Sequence, residues 1–316
     1  MRKFKKILKW TGLLILFLLT GVSITVMSRQ NMTYDRPFPD ITASTDSMII
    51  ARGKSIVFGG GHCADCHSLS NSDSLFEAGQ EVPLSGGKVF ELPFGKIYTA
   101  NISPDKETGI GKYTDKELAR ELRYGVKPDG TILYPFMPFN NLTDEDLQAV
   151  VSFLRSQKPI NHKVPDHDLN LMGNVFKAFL IKPVGPNGTP AKKIERDSSA
   201  AYGQYLATVV ANCYGCHTDR SPTGGFIGEP FAGGMVMEEP GGTFITPNLT
   251  TDSSSRIFGW TEQNFINRFR LGRVLKGSPM PWPSYKRMSD MELKAIYNFL
   301  KSLPAVKTGT KAAQKK

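Results

Sequence analysis

Two five-residue runs, Cys63-Ala64-Asp65-Cys66-His67 and Cys213-Tyr214-Gly215-Cys216-His217, contain all four cysteines of this 316-residue chain. Each is a C-x-x-C-H run, the sequence mark of covalent c-type haem attachment. Two thiols at this spacing reach the two vinyl groups of one haem, and the histidine after the second thiol is placed to ligate the iron. No cysteine is left for a structural disulfide. The competing readings are weaker. Paired C-x-x-C motifs of a zinc ribbon lie much closer in sequence, and a thioredoxin-type redox pair needs a βαβ setting that the sequence lacks. The cofactor expected is therefore two covalently bound haem c groups, held by Cys63, Cys66, Cys213 and Cys216.

An internal repeat extends both motifs into whole units. Residues 86–125 align without gaps onto 233–272, so that Thr99-Ala100-Asn101-Ile102 meets Thr246-Pro247-Asn248-Leu249 and Arg123-Tyr124-Gly125 meets Arg270-Leu271-Gly272. After a four-residue difference, Phe136-Met137-Pro138-Phe139 meets Pro279-Met280-Pro281-Trp282. Helical patterns repeat as well. Thr114 and Thr261 open helices over 116–124 and 263–271. Thr143 and Ser289 read as N-caps of helices over 147–155 and 293–301, with Asp146 and Glu292 as capping-box partners. A helix also leads into each motif, over 47–58 and 200–210. The pattern predicts a mostly α protein made of two tandem class I cytochrome c domains, 46–158 and 197–305. The proline-containing stretch 159–196 links them, with an apolar segment over 169–181 that reads as a short helix in a linker packed over both domains.

A haem iron held by histidine on one side takes a sixth ligand on the other, and methionine raises the potential. Met137 and Met280 fit that role because each sits in a Met-Pro pair at the same repeat position. The expected axial ligands are thus His67 with Met137 and His217 with Met280. Met235 and Met237 pair with Lys88 and Phe90 and read as non-ligands, while Met288 and Met291 read as structural or exposed. His62 is expected to face solvent near a haem edge. His162 and His167, in the linker, would be ligands only in a bis-histidine arrangement. Asn101 with Asn248, and Arg123 with Arg270, are read either as donors to buried haem propionates or as turn-making and surface residues. No paired catalytic carboxylates, Ser-His-Asp set or phosphate loop stands out.

The net charge of +10 sits at the ends of the chain. Residues 1–9 hold five basic groups and residues 307–316 four more, with no acid in either, so the body is close to neutral and a nucleic-acid surface is not indicated. Residues 1–9 read as a basic cytoplasmic tail and 306–316 as a basic disordered one. Between residues 10 and 27 the chain is uncharged and mostly apolar, long enough as a helix to span about 27 Å. We read 10–28 as a transmembrane anchor, with a cleaved signal peptide as the alternative, and 29–45 as a tether. The basic flank stays inside, so the rest is exported.

Taken together, the C-x-x-C-H runs, Tyr98-Thr99-Ala100-Asn101-Ile102-Ser103-Pro104-Asp105 with Thr108-Gly109-Ile110-Gly111, and Leu133-Tyr134-Pro135-Phe136-Met137-Pro138-Phe139 resemble the membrane-associated multi-haem cytochrome c subunits of periplasmic alcohol, aldehyde and gluconate dehydrogenases. The resemblance covers residues 48–303 and implies the same four axial ligands. It implies an electron carrier in place of an enzyme, anchored in a bacterial cytoplasmic membrane with its haem domains in the periplasm. Its partners would be a dehydrogenase or other donor and an oxidase or quinone-linked acceptor. The better-known subunits carry three haems, whereas this chain has two motifs. The alternative from another class is a dihaem redox enzyme of the cytochrome c peroxidase kind, which needs one haem with an open sixth site.

Overall fold

The computed structural model describes residues 2–221, 224–239 and 241–309. The last seven residues of the basic C-terminal tail lie outside this range. In chain order the structure holds α1 (Arg2–Arg29), α2 (Ser47–Ser55), α3 (Cys63–His67), α4 (Asp73–Glu77), β1 (Val89–Leu92), β2 (Gly95–Tyr98), α5 (Asp115–Tyr124) and α6 (Asp144–Ser156). Then follow β3 (Asp168–Leu169), α7 (Leu171–Phe179), α8 (Ala200–Tyr205), α9 (Cys213–Cys216), β4 (Val236–Glu239), β5 (Gly242–Ile245), α10 (Glu262–Arg270), α11 (Trp282–Tyr285) and α12 (Asp290–Ser302).

The expected anchor is one helix, α1, longer than predicted because the basic flank continues it to Arg2. It is long and apolar enough to cross a membrane, and Val26 is its one buried residue. The sequence signals at the helix starts hold. Asp46 accepts from the amides of Met48 and Ile49, and complete capping boxes open α5 at Thr114, α10 at Thr261 and α12 at Ser289. At α6 the box is only half made. Thr143 accepts from the Asp146 amide, but the Asp146 carboxylate turns away to Arg52 and Tyr205.

Among the described residues the second half repeats most of the element order of the first, without a counterpart of α4 and with α11 added before its last helix. In each, the helix before the motif crosses the last helix of its own half, α2 on α6 and α8 on α12. Each entry helix ends in one π-helical turn, Ile56–Gly60 or Leu206–Val210, and the residue before the first cysteine is left-handed, His62 at φ 43° and Asn212 at φ 46°. Asparagine tolerates this conformation, and His62 meets the same backbone demand.

Two features escaped the helical reading. Each half carries a β-hairpin, β1–β2 and β4–β5, in matching register (Val89 opposite Tyr98, Val236 opposite Ile245). Two-residue turns and four-residue strands leave little periodic signal. The linker also departs from expectation. It packs mainly on the first half, where β3 adds a third strand beside β2 and the carbonyls of Ala191 and Lys192 accept from the amides of Asp144 and Glu145. Just past the linker, Asn298 donates to the Ser198 carbonyl within the second half.

The buried apolar side chains of both halves form one continuous core that includes Val57, Leu147, Val151, Leu206, Leu293 and Ile296. Within the first half, burial pushes the Glu121 carboxyl up to about 7, against the pull of Lys127. A carboxyl raised on folding holds its proton longer in the folded state, so stability falls as pH rises from about 4.5 through about 7. We expect a loss of at most about 3 kcal/mol over that window. Thermal melts of the wild type and Glu121→Gln at pH 5 and pH 8 test this. The glutamine variant should remove most of the decline, and parallel profiles would rule the assignment out.

Candidate haem sites

Both attachment turns are short helices entered from a left-handed residue, which brings the two thiols of each motif onto one side of a single turn. None of the four cysteines is in a disulfide. Burial pushes the thiols of Cys63 and Cys213 up to about 12 and that of Cys66 up to about 11. Such thiols are poor nucleophiles in the folded chain. Among the described residues no cluster of three or more His, Cys, Asp or Glu side chains is arranged to hold a bare metal ion, so the zinc reading finds no site.

Each motif histidine has its ring fixed in the same way. His67 Nδ1 lies 2.8 Å from the Ala100 carbonyl and His217 Nδ1 lies 2.8 Å from the Pro247 carbonyl. These carbonyls occupy equivalent repeat positions. Burial lowers both imidazole pKa values, so the rings are neutral, and the carbonyl requires the proton on Nδ1. Nε2 is left as the basic nitrogen, the arrangement that suits an iron ligand. A carbonyl oxygen has no side-chain signature, which is why these two partners went unread in the sequence.

Met137 and Met280 are half-buried against the common core, as are Cys63 and Cys213. Met137 lines an apolar cavity of about 120 Å³ with Leu122, Ile132, Tyr134 and Val184. The hydroxyl of Tyr134, on the same wall, is buried with no hydrogen-bond partner. A basic imidazole nitrogen, a thioether and two thiols are the donor types that a c-type haem requires, and each half supplies them, although the cavity beside Met137 is lined by neither His67 nor the motif cysteines.

Asn101 and Asn248 turn out to be clamps for the chain. The Asn101 amide donates to the Ile160 carbonyl (2.8 Å) and its oxygen accepts from the Ser103 amide; Asn248 does the same with Val306 (2.7 Å) and Thr250. Arg123 is buried and donates to the carbonyls of Asn140 and Leu142 and to Asp144, and Arg270 makes the matching bonds to Met288 and Asp290. The asparagines tie the loop after each hairpin to the segment that follows the last helix, and the arginines tie α5 and α10 to the start of α6 and α12 and the loop before it. The propionate reading is not needed to explain them.

His62 is a correction. It packs between Phe139 and Tyr285, with ring centroids 5.7 Å apart in the second pair, and its Nδ1 meets the Gly60 carbonyl. His162 and His167 serve the linker's packing. His162 Nδ1 lies 2.8 Å from the Ser85 carbonyl, and His167 Nδ1 accepts from the Tyr98 amide.

The π-helical turns that lead into the two motifs meet across the interface between the halves, and the first attachment turn touches α11 of the second. The Asp65 carboxylate, inside the first motif, accepts from Ser284, which follows the Met280-Pro281 pair of the second half. Within the second half, the Tyr285 hydroxyl donates to the Ala211 carbonyl, two residues before Cys213, and the Tyr285 ring packs on His62 of the first half. Gly60 faces Val210 and Met288 with no room to spare. The Asp65–Ser284 bond joins positions that are not equivalent, so no repeat argument could have found it, whereas Gly60 and Val210 each lie three residues before the first cysteine of their motif.

Residues 50–158, which contain the first C-x-x-C-H motif, match the family model of cytochrome c. The wider chain is similar to the cytochrome subunit of fructose dehydrogenase from Gluconobacter japonicus, 28% identical over 96% of this chain and 61% of that one. Similarity to the cytochrome c subunit of the quinone alcohol dehydrogenase of Gluconobacter oxydans is 30% over 85% of this chain and 58% of that one. A dihaem c-type cytochrome of Cereibacter sphaeroides is 27% identical over 94% of this chain and 98% of its own length. The chain thus spans about three-fifths of the dehydrogenase subunits it matches and nearly all of the dihaem protein.

Proposed function

We propose that this chain is a membrane-anchored, periplasmic dihaem cytochrome c that relays electrons from a dehydrogenase to the respiratory chain. The observation that carries the reading is the duplication of one site. Each half places a C-x-x-C-H turn, a carbonyl-fixed histidine and a half-buried Met-Pro methionine in the same order. A haem c held at each site supplies a one-electron iron couple. The chain's own residues set the rest. Cys63 and Cys66, and Cys213 and Cys216, hold the group; His67 with Met137 and His217 with Met280 bind the iron; the buried walls exclude water. With His67 and Met137 on one iron and His217 and Met280 on the other, no position would be left for a substrate, which supports a carrier. The similarity to dehydrogenase cytochrome subunits supports a dehydrogenase as donor, and similarity along nearly the whole dihaem relative supports two haems in two tandem domains, 46–158 and 197–305, joined by 159–196.

The test is spectroscopic. In the ferric protein, the methionine-to-iron charge-transfer band should fall by about half in Met137→Ala and by about half in Met280→Ala, and vanish in the double variant. A high-spin resting spectrum in the wild type would move the reading to a peroxidase-like enzyme, and a bis-histidine spectrum would remove the methionines from the ligand set.

A further inference from the structure

The helix α7 presents an apolar stripe outward. Leu171 and Leu180 are 75% and 64% exposed, and Met172 and Phe179 lie on the same open side. Its inward side is Gly173, which leaves no room for a side chain against the Phe94 carbonyl, and the buried Ala178. The one charge of the helix, Lys177, is half-buried near Lys127 and Asp129 and so is not part of the stripe. An exposed apolar stripe on a helix this short calls for a covering surface.

The position of α1 identifies that surface. The apolar run of α1 ends at Met27, and the helix closes two residues later at Arg29. Arg29 Nε donates to the Ala178 carbonyl at 3.1 Å, and its guanidinium lies 5.3 Å from the centre of the Phe179 ring. Val26, the one buried residue of α1, lies in the same last turn. If residues 10–27 span a bilayer, Arg29 stands at the headgroup level, where arginine side chains settle. Phe179 and Leu180 are then held at the boundary between headgroups and acyl chains.

We infer that α7 lies on the periplasmic surface of the lipid bilayer, with Leu171, Met172, Phe179 and Leu180 dipped into it as a second membrane contact beside the α1 span. This rests on the anchor reading of α1. The contact would also orient the first haem site. Phe176 of α7 packs on Phe94 (5.7 Å between centroids), Phe94 stacks on Tyr134 (6.3 Å), and Tyr134 on Phe136 (6.2 Å), the neighbour of Met137. Through this run of rings the helix is fixed to the methionine loop of the first half, which places that half, and not the second, toward the membrane.

The experiment uses the full-length haem-loaded protein, reduced so that low-spin ferrous iron does not broaden the signal, in vesicles of phosphatidylethanolamine and phosphatidylglycerol. Since all four native cysteines are engaged by haem, a single added thiol can carry a nitroxide at Leu171→Cys, Leu180→Cys, Leu19→Cys in α1, or the exposed Met291→Cys in α12. Collision rates with oxygen and with a water-soluble nickel chelate give the immersion of each label. The expected result is a several-fold preference for oxygen at positions 171 and 180, as at 19, and a preference for nickel at 291. Nickel access at 171 and 180 with 19 immersed would overturn the inference and leave the anchor standing. Nickel access at 19 as well would overturn both. Shielding of 171 and 180 from both reagents would mean that protein, such as a second copy of this chain, covers the stripe, and would also overturn it.

Discussion

Replacing Arg52 with methionine should destabilise the protein by about 3–5 kcal/mol, the range for removing one partner of a buried ion pair. Arg52 donates through Nε and Nη2 to both oxygens of Asp146 (2.8 and 2.9 Å) and through Nη1 to Glu292 (2.8 Å). The three side chains are 10%, 3% and 7% exposed. Burial opposes the guanidinium charge, and the Asp146 carboxylate overcomes that, so the Arg52 pKa is raised. The network also crosses the interface. Asp146 belongs to the first half and Glu292 to the second, while Tyr205 of the second half donates to Asp146 at 2.8 Å. Methionine keeps most of the apolar stem, so the loss reports charge more than volume.

The sign of the pH dependence separates this from a simple packing defect. Without Arg52, two carboxylates face each other with no cation between them, and their pKa values in the folded variant rise. A carboxylate raised on folding makes the folded state relatively more stable at lower pH. The gap between wild type and Arg52→Met should therefore narrow from pH 8 to pH 5 in denaturant melts. A gap that is constant with pH would show that the ion pairs contribute little. A variant as stable as the wild type would mean that the cluster breaks even against an apolar core, as some buried ion pairs do.

Arg52 also marks the limit of what the sequence disclosed. Much of what is present twice was legible: the C-x-x-C-H turns, the Met-Pro pairs and the caps at Thr114, Thr143, Thr261 and Ser289 were identified by comparing one half with the other. At the repeat position of Arg52 the second half has Tyr202, so the alignment there looks like unrelated surface. Likewise Asp65 with Ser284, and His62 with Tyr285, join inequivalent positions. These contacts exist because two similar halves share one core, and a repeat describes each half without describing how they meet. The hairpins were missed for another reason: four-residue strands carry too few alternations to compete with the helical pattern around them. Asn101 and Arg123 were noticed, but their partners are main-chain carbonyls, which leave no mark in a sequence.

The glycine at the crossing of α2 and α6 was present twice and was still overlooked, because glycine inside a helix looks like a weakness. Gly53 and Gly203 each lie ten residues before the first cysteine of their motif. A Cβ on Gly53 would fall 1.9 Å from the Ala149 carbonyl oxygen and 2.7 Å from Phe153 Cβ; on Gly203 it would fall 1.8 Å from the Ala295 oxygen and 2.9 Å from Phe299 Cβ. Two effects compete. Alanine in place of helical glycine favours the helix by about 1 kcal/mol. Against this, the obstacle is backbone, which no rotamer change can clear, so the helices must separate; overpacking of this kind costs about 1–3 kcal/mol and sometimes more. With both contacts below 2 Å the second effect should win, giving a net loss of about 2 kcal/mol or more for Gly53→Ala and for Gly203→Ala. Gly225→Ala, whose Cβ would meet only Ser221 Oγ at 3.6 Å, should change stability by about 0.5 kcal/mol or less. The crossing also aims the attachment turn, since α2 and α8 run through their π-helical turns directly into the cysteines. Each substitution is therefore expected to lower haem incorporation in its own half first. Haem content per chain, measured by absorbance against total protein, should fall from two toward one in either single variant, with the Met280 signal surviving in Gly53→Ala and the Met137 signal surviving in Gly203→Ala. Full haem content and unchanged melting in both variants would mean that the helices part without consequence, and the close crossing would then have no role in placing the sites.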